Sequence, residues 1–331
     1  MSQQAFIEQL ISDAGLDDAS SNIKPTPFRS GLPVDSVQHI PLPPTEASSL
    51  KHQLQSYVGS LNWLAQATRP DLAVITNLLA QQQNKPSPGH IAAAKHVIKY
   101  LKGTKNLGIS FHSDSHLSIQ SFIHFPIQHA KIHAFTDANW GPQDQSVPKP
   151  TSKPQQVDLH ISRSISIHLI LLHGPLHWSA RRQGITARST AESEIYATDT
   201  CVKQILHLSN IISDLGLTKE LLSDTTPIFN DNTACIQWSK NKTNRNIRHI
   251  QIRENATREA VHKKQVTIHH IDGKNNPADI FTKEQKDPNH FLRLRDIILS
   301  KPFPELSLTV TPTKSLDLRG GSNSIYETQS T

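Results

Sequence analysis

Four acidic side chains stand where a strand is predicted to end or a helix to begin: Asp137, Glu194, Asp231 and Asp279. The alternating stretch KIHAFTD, residues 131–137, predicts a short strand with a carboxylate at its tip. A second acid ends a brief apolar run, and the other two fall in the first turns of predicted helices. Strand ends and helix starts meet at one edge of a sheet with helices on its faces, so the four side chains are expected to converge.

Carboxylates that approach one another repel strongly, so their convergence is favourable only when cations lie between them. Magnesium prefers oxygen ligands and keeps waters and substrate phosphates in its coordination shell. Two such ions, about 3.5–4 Å apart, can activate a water and stabilise the leaving oxygen of a phosphodiester. The four acids therefore predict a site for two magnesium ions, with manganese as the alternative ion. The competing interpretation is that each acid only caps a helix or a turn. The sequence leaves this alternative open for Glu194 and Asp231 in particular.

The segment 131–285 alternates strand-like and helix-like patterns, which predicts an α/β fold. Three consecutive antiparallel strands are predicted at 131–136, 157–163 and 165–179, and a helix follows with Ser189 or Thr190 as its N-cap. Later apolar runs predict two more strands, separated by helices. This order favours a mixed five-stranded sheet with helices packed on its faces.

Helical patterns dominate the chain before these strands. Amphipathic helices are predicted at 4–15 and, with proline breaks, at 46–103. Two strand-like runs, LGISFH and LSIQSFIHF, follow within 107–125. NPADIFTK, residues 276–283, predicts the start of a last helix with Pro277 in its first turn.

The amino-acid composition indicates which class of binding partner and which cellular compartment to expect for this protein. The net charge of +6 and the pI of about 9.2 favour a polyanionic partner such as nucleic acid. The two cysteines, Cys201 and Cys235, form no CxxC pair, so we expect a reducing compartment rather than a disulfide framework or zinc knuckle. No stretch approaches the roughly 18 apolar residues of a membrane span, and no signal peptide is visible. We therefore expect an intracellular protein, cytoplasmic or nuclear, with no membrane partner.

Basic residues cluster between residues 240 and 270, where eight lysines and arginines stand against two acids, Glu254 and Glu259. Such a strip can bind the phosphates of a nucleic acid, although a solubilising surface is the alternative. Three arginines just before Glu194 could bind phosphates in the same way. The predicted nucleic-acid contacts from the two regions are Arg181, Arg182, Arg188, Lys240, Lys242, Arg245 and Arg248.

Several motifs occur in one order along the chain and together resemble a known family. They are SYVGSLNWLAQATRPDLAVITNLLAQ (56–81), AAKHVIKYLKGTKNLGI (93–109), FTDANW (135–140), WSARRQGITARSTAESEIYA (178–197), NDNTACI (230–236), RHIQIRENATRE (248–259) and NPADIFTK (276–283). The set resembles the C-terminal part of the Pol polyprotein of copia-type LTR retrotransposons. In that family the end of the reverse transcriptase is followed by a ribonuclease H domain. The resemblance covers about residues 5–285, and the shared order makes it specific.

The resemblance implies roles for the first two acids. Asp137 matches the first ribonuclease H acid in the family's D-A-D-W context, although Asn139 stands where the motif has its second acid. Glu194 matches the helix-borne acid of the T-E-A-E-Y context, because it begins the apolar stripe of its helix. Glu192 is the alternative for that role.

The same resemblance implies roles for the later residues. Asp231 in NDN matches the third acid, and Asp279 in ADIFTK matches the fourth. His270, or His269, lies nine or ten residues before Asp279. At that distance ribonuclease H enzymes often carry a mobile histidine that aids product release.

The resemblance also implies a domain order and an activity. Residues 1–45 would be the tail of the polymerase palm and a proline-rich linker, and 46–125 a helical thumb- or connection-like region. A ribonuclease H-like domain with a five-stranded mixed sheet would follow at 130–290, and a disordered tail at 303–331. The implied activity is hydrolysis of the RNA strand of an RNA/DNA hybrid by two-metal catalysis. The implied partners are that hybrid and an upstream reverse transcriptase domain.

Departures from the family leave two alternatives open. The polymerase motif Y-V-D-D does not occur, so the chain is not expected to be a complete reverse transcriptase. The region 141–174 departs from the family's R-K-S-T-S-G-Y pattern and retains only Arg163-Ser164, which also fits an inactive relic that at most binds nucleic acid. An integrase or transposase of similar fold would leave the motifs at 56–109 unexplained.

Overall fold

A five-stranded mixed sheet with helices on both faces forms the centre of the computed structural model, which confirms the predicted α/β class. None of the described helices is both long and apolar enough to cross a membrane. The structure describes residues 1–18, 22–28, 43–111, 132–139, 164–172, 174–184, 187, 189–240, 251–281 and 287–299.

The strand order places the strand that carries Asp137 beside the strand that directly precedes Asp231. The strands are β1 (His133–Asn139), β2 (Ile165–Leu171), β3 (Pro175–Arg182), β4 (Thr226–Asn230) and β5 (Val266–His270). Their order across the sheet is β3-β2-β1-β4-β5. β2 pairs antiparallel with β1 and β3, whereas the pairs β1/β4 and β4/β5 are parallel. Because β1 and β4 are parallel neighbours, Asp137 and Asp231 come to the same edge of the sheet.

The helices precede, connect and follow the strands. Those before the sheet are α1 (Gln4–Asp13), α2 (Pro44–Ala67), α3 (Ala73–Gln81) and α4 (Pro88–Gly103). Those within and after it are α5 (Thr190–Asp214), α6 (Thr218–Leu221), α7 (Thr233–Lys240), α8 (Gln251–His262) and α9 (Pro288–Ile298). Short 3-10 turns occur at Pro70–Leu72, Gly273–Asn275 and Pro277–Phe281.

Alternating side chains give each face of the sheet its own apolar core. On one face, Phe135, Ile167 and Leu169 share a buried cluster with residues of α1–α4 and α9. On the opposite face, Ala134 and Ile170 pack with the apolar side of α5. Strand alternation with a period of two explains this division. The first core continues without interruption from the helices before β1 into the sheet, so those helices contribute to the support of β1.

The predicted single strand at 165–179 is instead two strands, because the chain turns between Leu171 and Pro175. Leu172 N donates to the Gly174 carbonyl at 2.8 Å, and a β-carbon at Gly174 would collide with the Ser110 carbonyl. The apolar alternation runs through this turn, so periodicity could not reveal it. The described chain does contain three consecutive antiparallel strands, but the second and third of them both begin within the segment that was predicted to form only the third. The strand predicted at 157–163 lies outside the described residues.

The run LGISFH was predicted as a strand, but residues 107–111 form none. The N-terminal ammonium of Met1 donates to the Ile109 carbonyl at 2.7 Å. The backbone of Met1 also lies where a β-carbon at Gly108 would be, so the chain start packs directly on this segment. The second run, LSIQSFIHF, lies outside the described residues.

NPADIFTK was predicted to start an α-helix, but its described part forms the 3-10 turn Pro277–Phe281. Asp279 N donates to the Asn276 carbonyl at 3.0 Å, three residues back, as 3-10 geometry requires. The side-chain oxygen of Asn276 accepts a hydrogen bond from Ala278 N at 3.1 Å, and this bond competes with α-helical backbone bonding. The next described helix is α9.

A buried ion pair joins the helices that cover the first core. The Arg69 guanidinium donates to both oxygens of Asp71, at 3.0 and 2.7 Å, and neither side chain is exposed. Tyr100 of α4 donates to the same carboxylate at 2.6 Å, and Arg69 also bonds the Thr104 carbonyl at 3.0 Å. The pair therefore ties the α2–α3 connection to the C-terminal end of α4.

Replacing Asp71 by Asn would leave the buried Arg69 guanidinium without a counter-ion. Because an uncompensated buried charge costs about 3–5 kcal/mol, we expect Asp71→Asn to lower the free energy of unfolding by about that amount in urea denaturation. The exposed Lys105–Glu8 pair, at 2.8 Å, provides the control, and Glu8→Gln should leave the urea midpoint unchanged. Similar losses in the two variants would contradict the importance of the buried pair.

Candidate metal centre

Three of the four predicted acids come together at the edge where β1 and β4 end. Asp137 lies near the end of β1, Asp231 directly follows β4, and Glu194 lies one turn into α5. One carboxylate oxygen from each lies within 4.8 Å of the others. Asp137 and Glu194 are buried, and Asp231 is partly exposed. Within the described part of the chain, these three form the group of acids, histidines or cysteines that could hold a metal ion.

The start of α5 determines which glutamate joins the group. Ser189 is the N-cap, and its hydroxyl accepts from Glu192 N at 3.1 Å. Two residues along a helix correspond to a rotation of about 200°, so Glu192 and Glu194 project from opposite sides. The Glu192 carboxylate accepts from the Tyr196 hydroxyl at 3.4 Å on its own helix. The structure thus brings Glu194, rather than Glu192, to Asp137.

Two donors hold the Glu194 carboxylate in place. Ala138 N donates to Glu194 Oε1 at 3.2 Å and also to Asp137 Oδ1 at 2.9 Å. Asn230 Nδ2 donates to Glu194 Oε2 at 3.0 Å. Burial and the Asp137 charge, with a further contribution from Asp231, nevertheless raise the pKa of Glu194 to about 9. Without a cation, this carboxyl therefore holds a proton at neutral pH.

The donor set suits a hard divalent cation. All three side chains offer oxygen, which magnesium and manganese prefer over nitrogen or sulfur. Oxygens that share one magnesium are at most about 4.2 Å apart, twice a bond of about 2.1 Å. The observed limit of 4.8 Å is only slightly wider, so small side-chain rotations would suffice. A cation would also remove the like-charge repulsion that keeps Glu194 protonated.

Asp279, the fourth predicted acid, is buried but is not among the three whose oxygens converge. It lies in the turn Pro277–Phe281, which is tied to β1 because Asn276 Nδ2 donates to the Thr136 carbonyl at 2.9 Å. Thr136 directly precedes Asp137, so the turn lies at the same sheet edge. The role of Asp279 as a fourth ligand stays a prediction.

The predicted histidine lies at the end of β5. His270 is exposed and stands opposite Asn230 in the register. The alternative, His269, bonds the Thr267 hydroxyl through Nε2 at 2.9 Å, and burial together with Lys240 lowers its pKa. His270 is therefore the more accessible of the two, and its function stays a prediction.

The predicted nucleic-acid contacts are only partly described. Arg181 and Arg182 are exposed at the same end of the sheet as Asp137, but β2 separates their strand, β3, from β1. Lys240 is exposed at the C-terminal end of α7. The remaining four lie outside the described residues: Arg188, Lys242, Arg245 and Arg248.

Four residues of the site were not predicted from the sequence. Thr136, Asn230 and Asn276 are fully buried beside the acids. Gly273 lies so close to Asp231 that a β-carbon would be 3.0 Å from its Oδ2. The sequence did contain a signal for the two asparagines. Asn230 stands one residue before Asp231 and Asn276 stands three residues before Asp279, and asparagine at such turns favours side-chain bonds to nearby backbone.

The fold and the site define an α/β protein whose mixed sheet carries three convergent carboxylates at one edge. Its homologues are retrovirus-related Pol polyproteins of copia-type transposons, which confirms the predicted resemblance. No protein-family model matches the chain, and no solved structure matches it significantly.

Three relatives illustrate the extent of this similarity. The chain is 26% identical over 234 residues, 70% of its length, to the Pol polyprotein from transposon RE1 of Arabidopsis thaliana. It is 26% identical over 86% of its length to the RE2 polyprotein of the same plant, and 24% over 78% to the transposon Ty1-ER2 Gag-Pol polyprotein of Saccharomyces cerevisiae. The matched part is only 14%, 17% and 13% of these three relatives, respectively.

The raised pKa of Glu194 predicts how stability depends on pH when divalent cations are absent. The folded state keeps a proton up to about pH 9 that the unfolded chain releases near 4.5. The stability from this group is therefore complete below about pH 4.5 and is lost progressively as the pH rises toward 9. Glu194→Gln cannot ionise, so at pH 8 in EDTA we expect its unfolding free energy to exceed that of the wild type by roughly 1–3 kcal/mol.

Urea denaturation between pH 5 and pH 9 measures this difference, and Glu192→Gln is the matched control. The control should keep the pH dependence of the wild type. A Glu194→Gln profile parallel to that of the wild type would show that Glu194 is not the titrating group.

Proposed function

We propose that the chain is a ribonuclease H-like part of a retrotransposon Pol polyprotein, which hydrolyses the RNA strand of RNA/DNA hybrids with divalent cations. The observation that carries the proposal is the convergence of Asp137, Glu194 and Asp231 within 4.8 Å. The Pol homologues support the retrotransposon origin and an upstream reverse transcriptase domain as a partner. The five-stranded mixed sheet with helices on both faces supports the ribonuclease H-like fold.

In this proposal, Asp137, Glu194 and Asp231 hold two magnesium ions, and Asp279 supplies a fourth carboxylate from its turn. Bound magnesium would supply Lewis acidity at the scissile phosphate. The chain itself contributes placement, because the Ala138 N–H and the Asn230 amide keep the Glu194 carboxylate directed at Asp137.

Exposed groups around the acids would bind the substrate and release the product. Arg181 and Arg182 stand at the Asp137 end of the sheet, where their guanidinium groups could bind backbone phosphates of the hybrid. Lys240 would extend this contact from α7. His270, exposed at the end of β5, is proposed as the mobile residue that aids product release.

Cleavage of an RNA/DNA hybrid labelled on its RNA strand tests the activity. The wild-type chain should cleave the RNA strand when magnesium or manganese is present and should show no cleavage in EDTA. We expect Asp137→Asn and Glu194→Gln to lower the rate by more than about 100-fold, beyond the 10–100-fold typical of residues that only support a metal ligand. Glu192→Gln, two residues away on the same helix, is the matched control and should retain most of the activity.

Three outcomes would redirect the proposal. Hybrid binding without cleavage by the wild type would favour the inactive relic. Equal cleavage by wild type and Asp137→Asn would refute the site. Loss of activity in Glu192→Gln but not in Glu194→Gln would assign the role of metal ligand to Glu192 instead of Glu194.

The close approach of Gly273 to Asp231 gives an independent test of the centre. A methyl group at Gly273 would lie 3.0 Å from Asp231 Oδ2 and displace that carboxylate. Calorimetric titration of Gly273→Ala should therefore show about 10-fold weaker manganese binding than the wild type. At Gly184 a β-carbon meets no atom within 4 Å, so Gly184→Ala should bind as the wild type does. Equal affinity in the two variants would contradict the expected displacement, because the Asp231 carboxylate would then accommodate the methyl group without any loss of cation binding.

A further inference from the structure

The backbone ladder between β1 and β4 stops just before the acids. Its last pair is Phe135 with Phe229, whereas β4 and β5 stay paired as far as Asn230 and His270. The backbones of β1 and β4 are therefore no longer paired at the positions that directly precede Asp137 and Asp231. Buried backbone groups at such a separation lose their ladder partners and must find others.

Asn230 bridges this separation from the β4 side. Its Nδ2 donates to Thr136 Oγ1 and to Glu194 Oε2, both at 3.0 Å. Its Oδ1 accepts from Asn232 N at 2.7 Å, so it also fixes the backbone around Asp231. One fully buried amide thus connects β1, α5 and the loop of the third acid.

Asn276 bridges the separation from the turn after β5. Its Nδ2 donates to the Thr136 carbonyl at 2.9 Å, and its Oδ1 accepts from Ala278 N at 3.1 Å. Thr136 precedes Asp137 and Ala278 precedes Asp279, so one side chain connects the backbones that carry these two acids. Asn276 is fully buried, so truncating it would leave the Thr136 carbonyl without this donor.

We propose that Asn230, Thr136 and Asn276 form a buried clamp that sets the relative positions of the four acids and thereby the cation affinity of the centre. Thr136 is the joint of the clamp, because its hydroxyl accepts from one asparagine and its carbonyl from the other. All three are positioning residues, since they act through the acids. The inference rests on the proposed function, but cation binding tests it separately from hydrolysis.

Paired substitutions at the joint and in the turn test the clamp. Thr136→Val keeps the side-chain shape but removes the hydroxyl, whereas Thr136→Ser restores it. Asn276→Ala removes both bonds of that amide. Asn275→Ala is the neighbouring control, because Asn275 accepts from the Arg293 guanidinium at 2.6 Å and takes no part in the clamp.

Manganese affinity is measured by electron paramagnetic resonance, kcat and KM by hybrid cleavage, and folding by circular dichroism. We expect Thr136→Val and Asn276→Ala to weaken manganese binding by about 10–100-fold and to lower kcat by a similar factor, with KM for the hybrid unchanged. Thr136→Ser should recover most of the affinity, and Asn275→Ala should match the wild type. The near-isosteric Thr136→Val carries the test if Asn276→Ala does not fold.

The outcomes separate the clamp from the activity. Manganese binding that weakens in the clamp variants, in a chain that never cleaves hybrid, supports the clamp and refutes the activity. If folded Thr136→Val and Asn276→Ala keep the hybrid cleavage and the manganese affinity of the wild type, the clamp is refuted. The proposed activity is then unaffected. A lower melting temperature with unchanged affinity also refutes the clamp, because the residues are then merely structural. Absence of manganese binding by the wild type overturns both.

Discussion

Like-charge repulsion among Asp137, Glu194 and Asp231 is the constraint on which the arrangement of the sheet edge depends. Their oxygens lie within 4.8 Å of one another, and burial of Glu194 removes water that would screen the repulsion. The folded chain can relieve this repulsion by keeping a proton on Glu194, whose pKa is raised to about 9, or by binding a cation. A proton and a bound cation would therefore compete for one position, and the occupancy of the site would be coupled to the stability of the fold.

Holding repelling groups together requires a rigid support. β1 lies between two apolar cores, one shared with α1–α4 and α9 and the other with α5. The Arg69–Asp71 pair fixes the α2–α3 connection against α4 within the first of these cores. Ser189 fixes the start of α5, and with it the side of the helix on which Glu194 projects. The helices before the sheet thus contribute to the stability of the acid-bearing edge, although they supply none of its three convergent carboxylates.

The motifs that carry the resemblance to Pol polyproteins have identifiable physical roles in the fold. The segment TRPD contributes the buried ion pair. NDN combines an acid with the asparagine that bonds Glu194, and NPAD combines another acid with the asparagine that bonds β1. The NDN and NPAD motifs therefore each join residues that are far apart in the chain, which gives a structural reason why their asparagines occur beside acids.

The sequence by itself determined the α/β class, most helix positions and the placement of acids at strand ends and helix starts, because periodicity and capping are local. Tertiary structure decided what depends on distant contacts. It selected Glu194 over Glu192, divided the segment 165–179 into two strands, and made NPADIF a 3-10 turn. It also assembled the clamp, in which Asn276 meets Thr136 across 140 residues and Asn230 meets Glu194 across 36. No local pattern encodes such pairs, since their partners are set by how β1, β4 and the last turn pack.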